Sequence, residues 1–166
     1  MLDLTRRGFL VLGAATALSA CTTIPVLPAA TTAAPEQLTR DQIIAAINTV
    51  RAANNAPAWS YSPQLEDAAR AQARLMASKN SMSHDLGVTL RQRVTTAGYQ
   101  GAVGENLGKG YTDLPGVIGG WMNSSGHRST LLSHKFVEFG LATARASGGK
   151  LYWAMIAGGS YEAWLG

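Results

Sequence analysis

The chain has one cysteine in 166 residues, 14% charged residues and 7% aromatics. Each scarcity excludes something. Cys21 has no partner for an internal disulfide, so packing alone must hold the fold. The net charge is only +4, and two of the arginines, Arg6 and Arg7, lie in a segment expected to be removed. Lys and Arg nowhere cluster with interleaved aromatics, so a nucleic-acid partner is not expected. The apolar run from Phe9 to Ala20 is short for a permanent transmembrane helix. Neither an H-E-x-x-H helix nor a G-x-S-x-G elbow occurs, so neither pattern offers a route to hydrolysis. The length suits one domain.

What is present begins with an address. "TRRGFLVLGAATALSAC" has paired arginines, an apolar run and small residues before Cys21. This is the grammar of an export signal over residues 1–20. Its start resembles a twin-arginine signal, and "LSAC" at 18–21 resembles a bacterial lipobox. Acylation would explain the lone Cys21 and would anchor the chain to a membrane. Residues 21–37, rich in Pro, Ala and Thr, read as a lipidated N-terminus and flexible tether. The domain is expected over residues 38–166, as a monomer. Thr22 after the cysteine favours the outer membrane in a Gram-negative cell.

Within the domain, Thr39 and Gln42 fit a capping box before Ile43, Ile44, Ile47 and Val50 at helical spacing. Ser62-Pro63 opens a second, alanine-rich helix through "QLEDAARAQARLMASKN". "APAWSYSPQL" between them reads as a loop. "TLRQRVTTAGY" reads as a shorter helix stopped by Gly98. "GAVGENLGKGY" reads as a glycine-rich loop, with Gly104 and Gly108 supplying unusual backbone angles. "DLPGVIGGWMNSSGH" reads as a helix capped by Asp113. "KFVEFGLATAR" and "LYWAMIAGG" read as an antiparallel hairpin. Helices first and strands later argue for an α+β fold.

His84, Glu105 and His127 lie in three separate segments. Two imidazoles and a carboxylate, if brought together, can share a proton or hold a divalent metal such as zinc through His84 and His127. Ser124, Ser125 and Ser129 near His127 are better read as helix-end caps than as nucleophiles. Trp121 is expected to pack between a helix and the sheet, and Asn106 to bond loop backbone.

"MSHD", "GYQGAVGENLGKG", "VIGGWMNSSGHRSTLLSHKFVEFGLA" and "LYWAMIAGG" together resemble the CAP superfamily: cysteine-rich secretory proteins, antigen 5 and pathogenesis-related proteins. The resemblance covers roughly residues 41–159. It implies a three-layer α-β-α sandwich with a central antiparallel sheet and an open cleft lined by two His and two acids. His84 matches the first family histidine, Glu105 the acid of GEN, and His127 the second histidine. Ser124 stands where eukaryotic members often carry Glu. Bacterial relatives often keep an acid just before the following glycine, here Glu138 in "FVEFG"; it is the fourth cleft candidate, with a solvated strand face as the alternative. The expectation is an envelope-tethered binding protein for a lipid, glycan or peptide, with a cleft suited to a divalent metal. The rival is a metal-assisted hydrolase with Glu105 as general base, and a third reading makes the polar cleft purely structural.

Overall fold

The computed structural model describes residues 34–165. The expected export signal, Cys21 and most of the expected tether lie outside the described residues. Residues 35–37 form a 3-10 turn whose Glu36 pairs with Arg145.

Five α-helices and four strands follow among the described residues: α1 (Arg40–Ala53), β1 (Ser60–Tyr61), α2 (Pro63–Lys79), α3 (Leu90–Thr96), β2 (Ala102–Lys109), α4 (Leu114–Met122), α5 (Ser125–Leu132), β3 (Glu138–Arg145) and β4 (Leu151–Gly159). The helix starts follow from local chemistry. Thr39 and Gln42 satisfy each other's backbone N–H groups at α1, and Thr89 and Gln92 do the same at α3. Ser62 and Asp113 cap α2 and α4, each with proline in the first turn. Gly98 (φ 82°) follows the end of α3, and Gly149 (φ 83°) turns the β3–β4 hairpin.

The sheet runs β1-β3-β4-β2. Its three long strands are antiparallel. The segment expected as a loop at 56–65 contributes β1, two residues parallel to β3 at the edge. The expected glycine-rich loop at 101–111 is instead β2, paired with β4 along eight residues. Its glycines do not supply unusual dihedrals: neither Gly104 nor Gly108 has positive φ. They permit close approach. A Cβ at Gly104 would stand 3.0 Å from Phe136 and Thr130, and one at Gly108 would stand 2.6 Å from Val117. The expected single helix around 113–127 is two, because the chain breaks at Asn123-Ser124 and α5 carries "SGHRSTLL".

Alternation along β3 and β4 divides the interior. One face packs Phe139, Leu141, Trp153 and Met155 against α1, α4 and α5, with Ile47, Val117, Trp121 and Leu131. The other packs Ala142, Ala154 and Ile156 against α2 and α3, with Leu65, Ala69, Ala73, Met76 and Val94. Each large aliphatic side chain among them, fully buried, contributes about 1.5–3 kcal/mol. The α2 face is flat because its contact residues are small. At Gly140 the backbone of α2 at Leu65-Glu66 lies directly on β3 and leaves no room for a Cβ. These layers are the α-β-α sandwich, with β2 at the sheet edge opposite β1.

Candidate functional site

The loop from 81 to 89 crosses the β2 edge on the α2–α3 side, held from beneath. Gln72, buried on α2, donates to the Ser83 carbonyl. Arg93, buried on α3, donates to the carbonyls of His84 (3.3 Å) and Val88 (2.5 Å). This sets the His84 ring over Glu105, with Nδ1 2.8 Å from Oε2. The Glu105 side chain is 1% exposed, whereas that of His84 is 62% exposed. The other Glu105 oxygen, Oε1, accepts from Arg93 at 2.6 Å. The carboxylate acceptor places a proton on Nδ1 of His84, so whenever this ring is neutral its lone pair is on Nε2.

The opposite wall is built differently. Asn106 Nδ2 donates to the His127 carbonyl at 2.9 Å and fixes α5 to β2. The C-terminal end of α5 is held by Arg51, which is fully buried and has no carboxylate partner among the described residues. Its guanidinium donates to the carbonyls of Pro57 (2.7 Å), Leu131 (2.5 Å) and Ser133 (3.2 Å). It also stacks on Trp59 at 3.7 Å. Burial pulls its pKa down to about 10, so it stays charged at neutral pH and faces the negative end of the α5 dipole. His127 is half-buried. Burial first, and the nearby charge of His84 second, hold its pKa below the ordinary imidazole range. At neutral pH it is an uncharged imidazole.

A groove of about 260 Å³ runs along the β2 edge, lined by Met82, Leu107, Lys109, Tyr111, Ser124 and His127 among others. Trp121 forms part of its wall and donates Nε1–H to the Leu107 carbonyl at 2.8 Å. Tyr111 lies across Gly120 on α4, where any Cβ would collide with its hydroxyl. Among the described residues, no three His, Cys, Asp or Glu side chains meet in a way that could hold a metal ion. A metal here would therefore rest on His84 and His127, with its other positions filled by water or ligand. Glu105 is spoken for at both oxygens and acts as the acceptor that orients His84.

The remaining sequence candidates fall as follows. Glu138 shares its sheet face with Glu105, since it aligns through Gly158 with Val103. Its hydrogen-bond partner is the Tyr99 hydroxyl at 3.0 Å, and no hydrogen bond joins it to His84, Glu105 or His127. Ser124 is the N-cap of α5 but makes no side-chain cap bond. Arg128 is exposed and reaches Asn54. Sequence reasoning missed Arg93, Arg51 and Gln72. A signal for Arg93 existed: it lies with Leu90, Val94 and Ala97 on the apolar face of α3, where a charged residue needs a buried partner.

The family model described as CAP: Cysteine-rich secretory protein family matches residues 44–156. The chain belongs to this family. It resembles an extracellular protein containing a SCP domain from Bacillus anthracis, at 26% identity and TM-score 0.64, over 72% of this chain and 40% of that one. It shares its fold with an outer surface protein from Borrelia burgdorferi, at 21% identity and TM-score 0.65, over 72% of this chain and 91% of that one. A 42-residue stretch is 40% identical to the uncharacterized membrane protein YlbC of Bacillus subtilis, which is 25% of this chain and 12% of that protein. The chain thus spans well under half of the Bacillus anthracis and Bacillus subtilis relatives.

Proposed function

We propose that this is an exported, envelope-tethered CAP-domain protein that binds a ligand in the groove along β2, which His127 lines and the His84–Glu105 pair flanks. The observation that carries binding over catalysis is the state of Glu105. A general base needs a free oxygen within reach of the proton it takes. Glu105 is buried, with Oε1 on Arg93 and Oε2 on His84. It positions an imidazole instead. The mixed lining, with Met82, Leu107, Tyr111 and Trp121 beside Lys109, Ser124 and His127, suits a ligand with apolar and polar parts: a lipid, a glycan or a peptide.

The two imidazoles also suit a divalent metal, zinc above all. His84 has the carboxylate behind it that metal-binding histidines commonly have, and His127 is uncharged at neutral pH. A bound metal would supply a Lewis-acid contact for an anionic or carbonyl group of the ligand. This chain's own residues orient that contact: Glu105 and Arg93 fix His84, and Asn106 fixes α5. Export rests on the Arg6-Arg7 signal and the lipobox at Cys21, and gains support from the extracellular and outer-surface proteins that share the fold.

Calorimetric titration with zinc, alongside peptide, glycan and ester reporters, tests this reading. Zinc should bind, more weakly as pH falls through the histidine range because ligation needs neutral imidazole. His84→Ala and His127→Ala should each remove that binding while the protein stays folded. Reporter turnover that disappears in Glu105→Gln would replace the binding reading with a hydrolase. Zinc binding unchanged in both histidine variants would place the metal elsewhere.

A further inference from the structure

The other end of the sheet carries a surface that the groove does not use. After β4 the chain makes a short turn, Glu162–Trp164. It packs back beside the start of β3, with the Trp164 and Phe136 rings 5.3 Å apart. Val137, Tyr161, Trp164 and Leu165 are all exposed there, Trp164 at 47% and Leu165 at 86%. Single exposed apolar residues are ordinary, but four gathered in one turn and its neighbour are not. Two cations are laid on their rings. Lys135 Nζ stands 4.8 Å from the Trp164 centroid, and the Arg91 guanidinium stands 5.7 Å from that of Tyr161. Glu162 is the exposed acid of the turn; its backbone and Ser160 hold its carboxyl below the usual carboxylate range, so it stays charged, one acid beside the two cations. Glu138, at the same end, is held by Tyr99.

We propose that this face rests on an anionic lipid bilayer, with Leu165, Val137 and the two aromatic rings entering the headgroup region and Arg91 and Lys135 meeting lipid phosphates. Tryptophan and tyrosine gain at a water–lipid boundary because each has an apolar body and a polar tip. Flanking cations add attraction to anionic headgroups. Chain length allows the contact if Cys21 is anchored as read above. The thirteen Cα-to-Cα steps from Cys21 to Ala34 can extend to at most about 43 Å. The first described residues sit by Arg145, at the far end of β3 from this face. The eight residues of β3 cover about 27 Å, so the tether can bring either end of the sheet to the membrane.

The test needs no anchor, because the protein carries its own reporter. Trp59, Trp121 and Trp153 are buried, so a change in tryptophan emission on exposure to lipid reads Trp164. The full chain is mixed with phosphatidylcholine vesicles, with and without phosphatidylglycerol. The expected result is a blue shift and quenching by brominated acyl chains on the anionic vesicles, weaker on neutral ones and weakened by salt. Trp164→Phe should erase the signal, and a Val137→Asp/Leu165→Asp variant should abolish the shift even when its chain remains vesicle-bound. Vesicle-bound protein whose Trp164 stays red-shifted and open to aqueous iodide would overturn the proposal. A blue shift that needs no lipid and grows with protein concentration would overturn it too, in favour of self-association. Neither outcome bears on zinc binding at the groove.

Discussion

Arg93 and Arg51 are both buried, and each holds one wall of the groove, but by opposite means. Arg93 meets a charge: Glu105, at 2.6 Å. Arg51 meets only neutral carbonyls and an indole face. A buried ion pair is a matched unit, costly to split and cheap to replace whole. A buried cation among carbonyls is a backbone clamp, and losing it strands neutral acceptors rather than a charge. The His84 wall thus depends on charge balance, and the His127 wall on the geometry of the last turn of α5.

Splitting the pair should have the largest effect. Arg93→Met leaves Glu105 buried beside an exposed histidine, and should cost about 3–5 kcal/mol in urea unfolding. Adding Glu105→Leu should restore most of that loss while leaving His84 unoriented. A double variant no more stable than Arg93→Met alone would mean that Arg93 acts mainly through the His84 and Val88 carbonyls. Arg51→Met should cost less, about 2–3 kcal/mol, since it strands neutral carbonyls rather than a charge. Arg51→Lys should recover little of it, because a single ammonium cannot span three carbonyls as a planar fork does. Full recovery by lysine would reduce the clamp to simple charge.

The smallest effect is in pH, and it belongs to the His127 wall. The folded pKa of His127 lies below its unfolded value. The unfolded chain therefore binds the proton first as pH falls. Stability contributed by uncharged His127 is complete above the unfolded value near 6.5. It is lost as pH drops through the lowered folded value. Melts with chelator present, run from neutral to mildly acidic pH, should decline more steeply for the wild type than for His127→Gln. Parallel curves would show that His127 senses neither burial nor His84.

Local chemistry was legible and packing was not. The Thr39–Gln42 box, the Ser62-Pro63 start, the Gly98 stop and the Gly149 turn all follow from short-range rules. So did the pairing of β3 with β4. The misreading of β2 shows the limit. Four glycines in ten residues look like a loop until Phe136, Thr130 and Val117 arrive against the strand. The break between α4 and α5 was hidden for the same reason, since nothing in Asn123-Ser124 forbids continuing a helix. At the site, the three loci could be picked out, and the structure brings His84 and Glu105 into contact. The buried arginines behind them were not foreseen, because a partner supplied by another element's backbone or a distant carboxylate leaves no mark at short range.

One consequence lies in the order of synthesis. Among the described residues, β2, which carries Glu105, has no sheet partner other than β4, the last strand of the sheet. A nascent chain on the ribosome reaches Lys109 long before Leu151. Until residues 151–159 emerge, β2 has no ladder, Gly140 has no completed sheet behind it, and the two histidines have no common edge to face across. The groove therefore cannot form piecemeal during translation. Products truncated before Leu151 carry His84, Glu105 and His127 and still lack the strand that β2 pairs with.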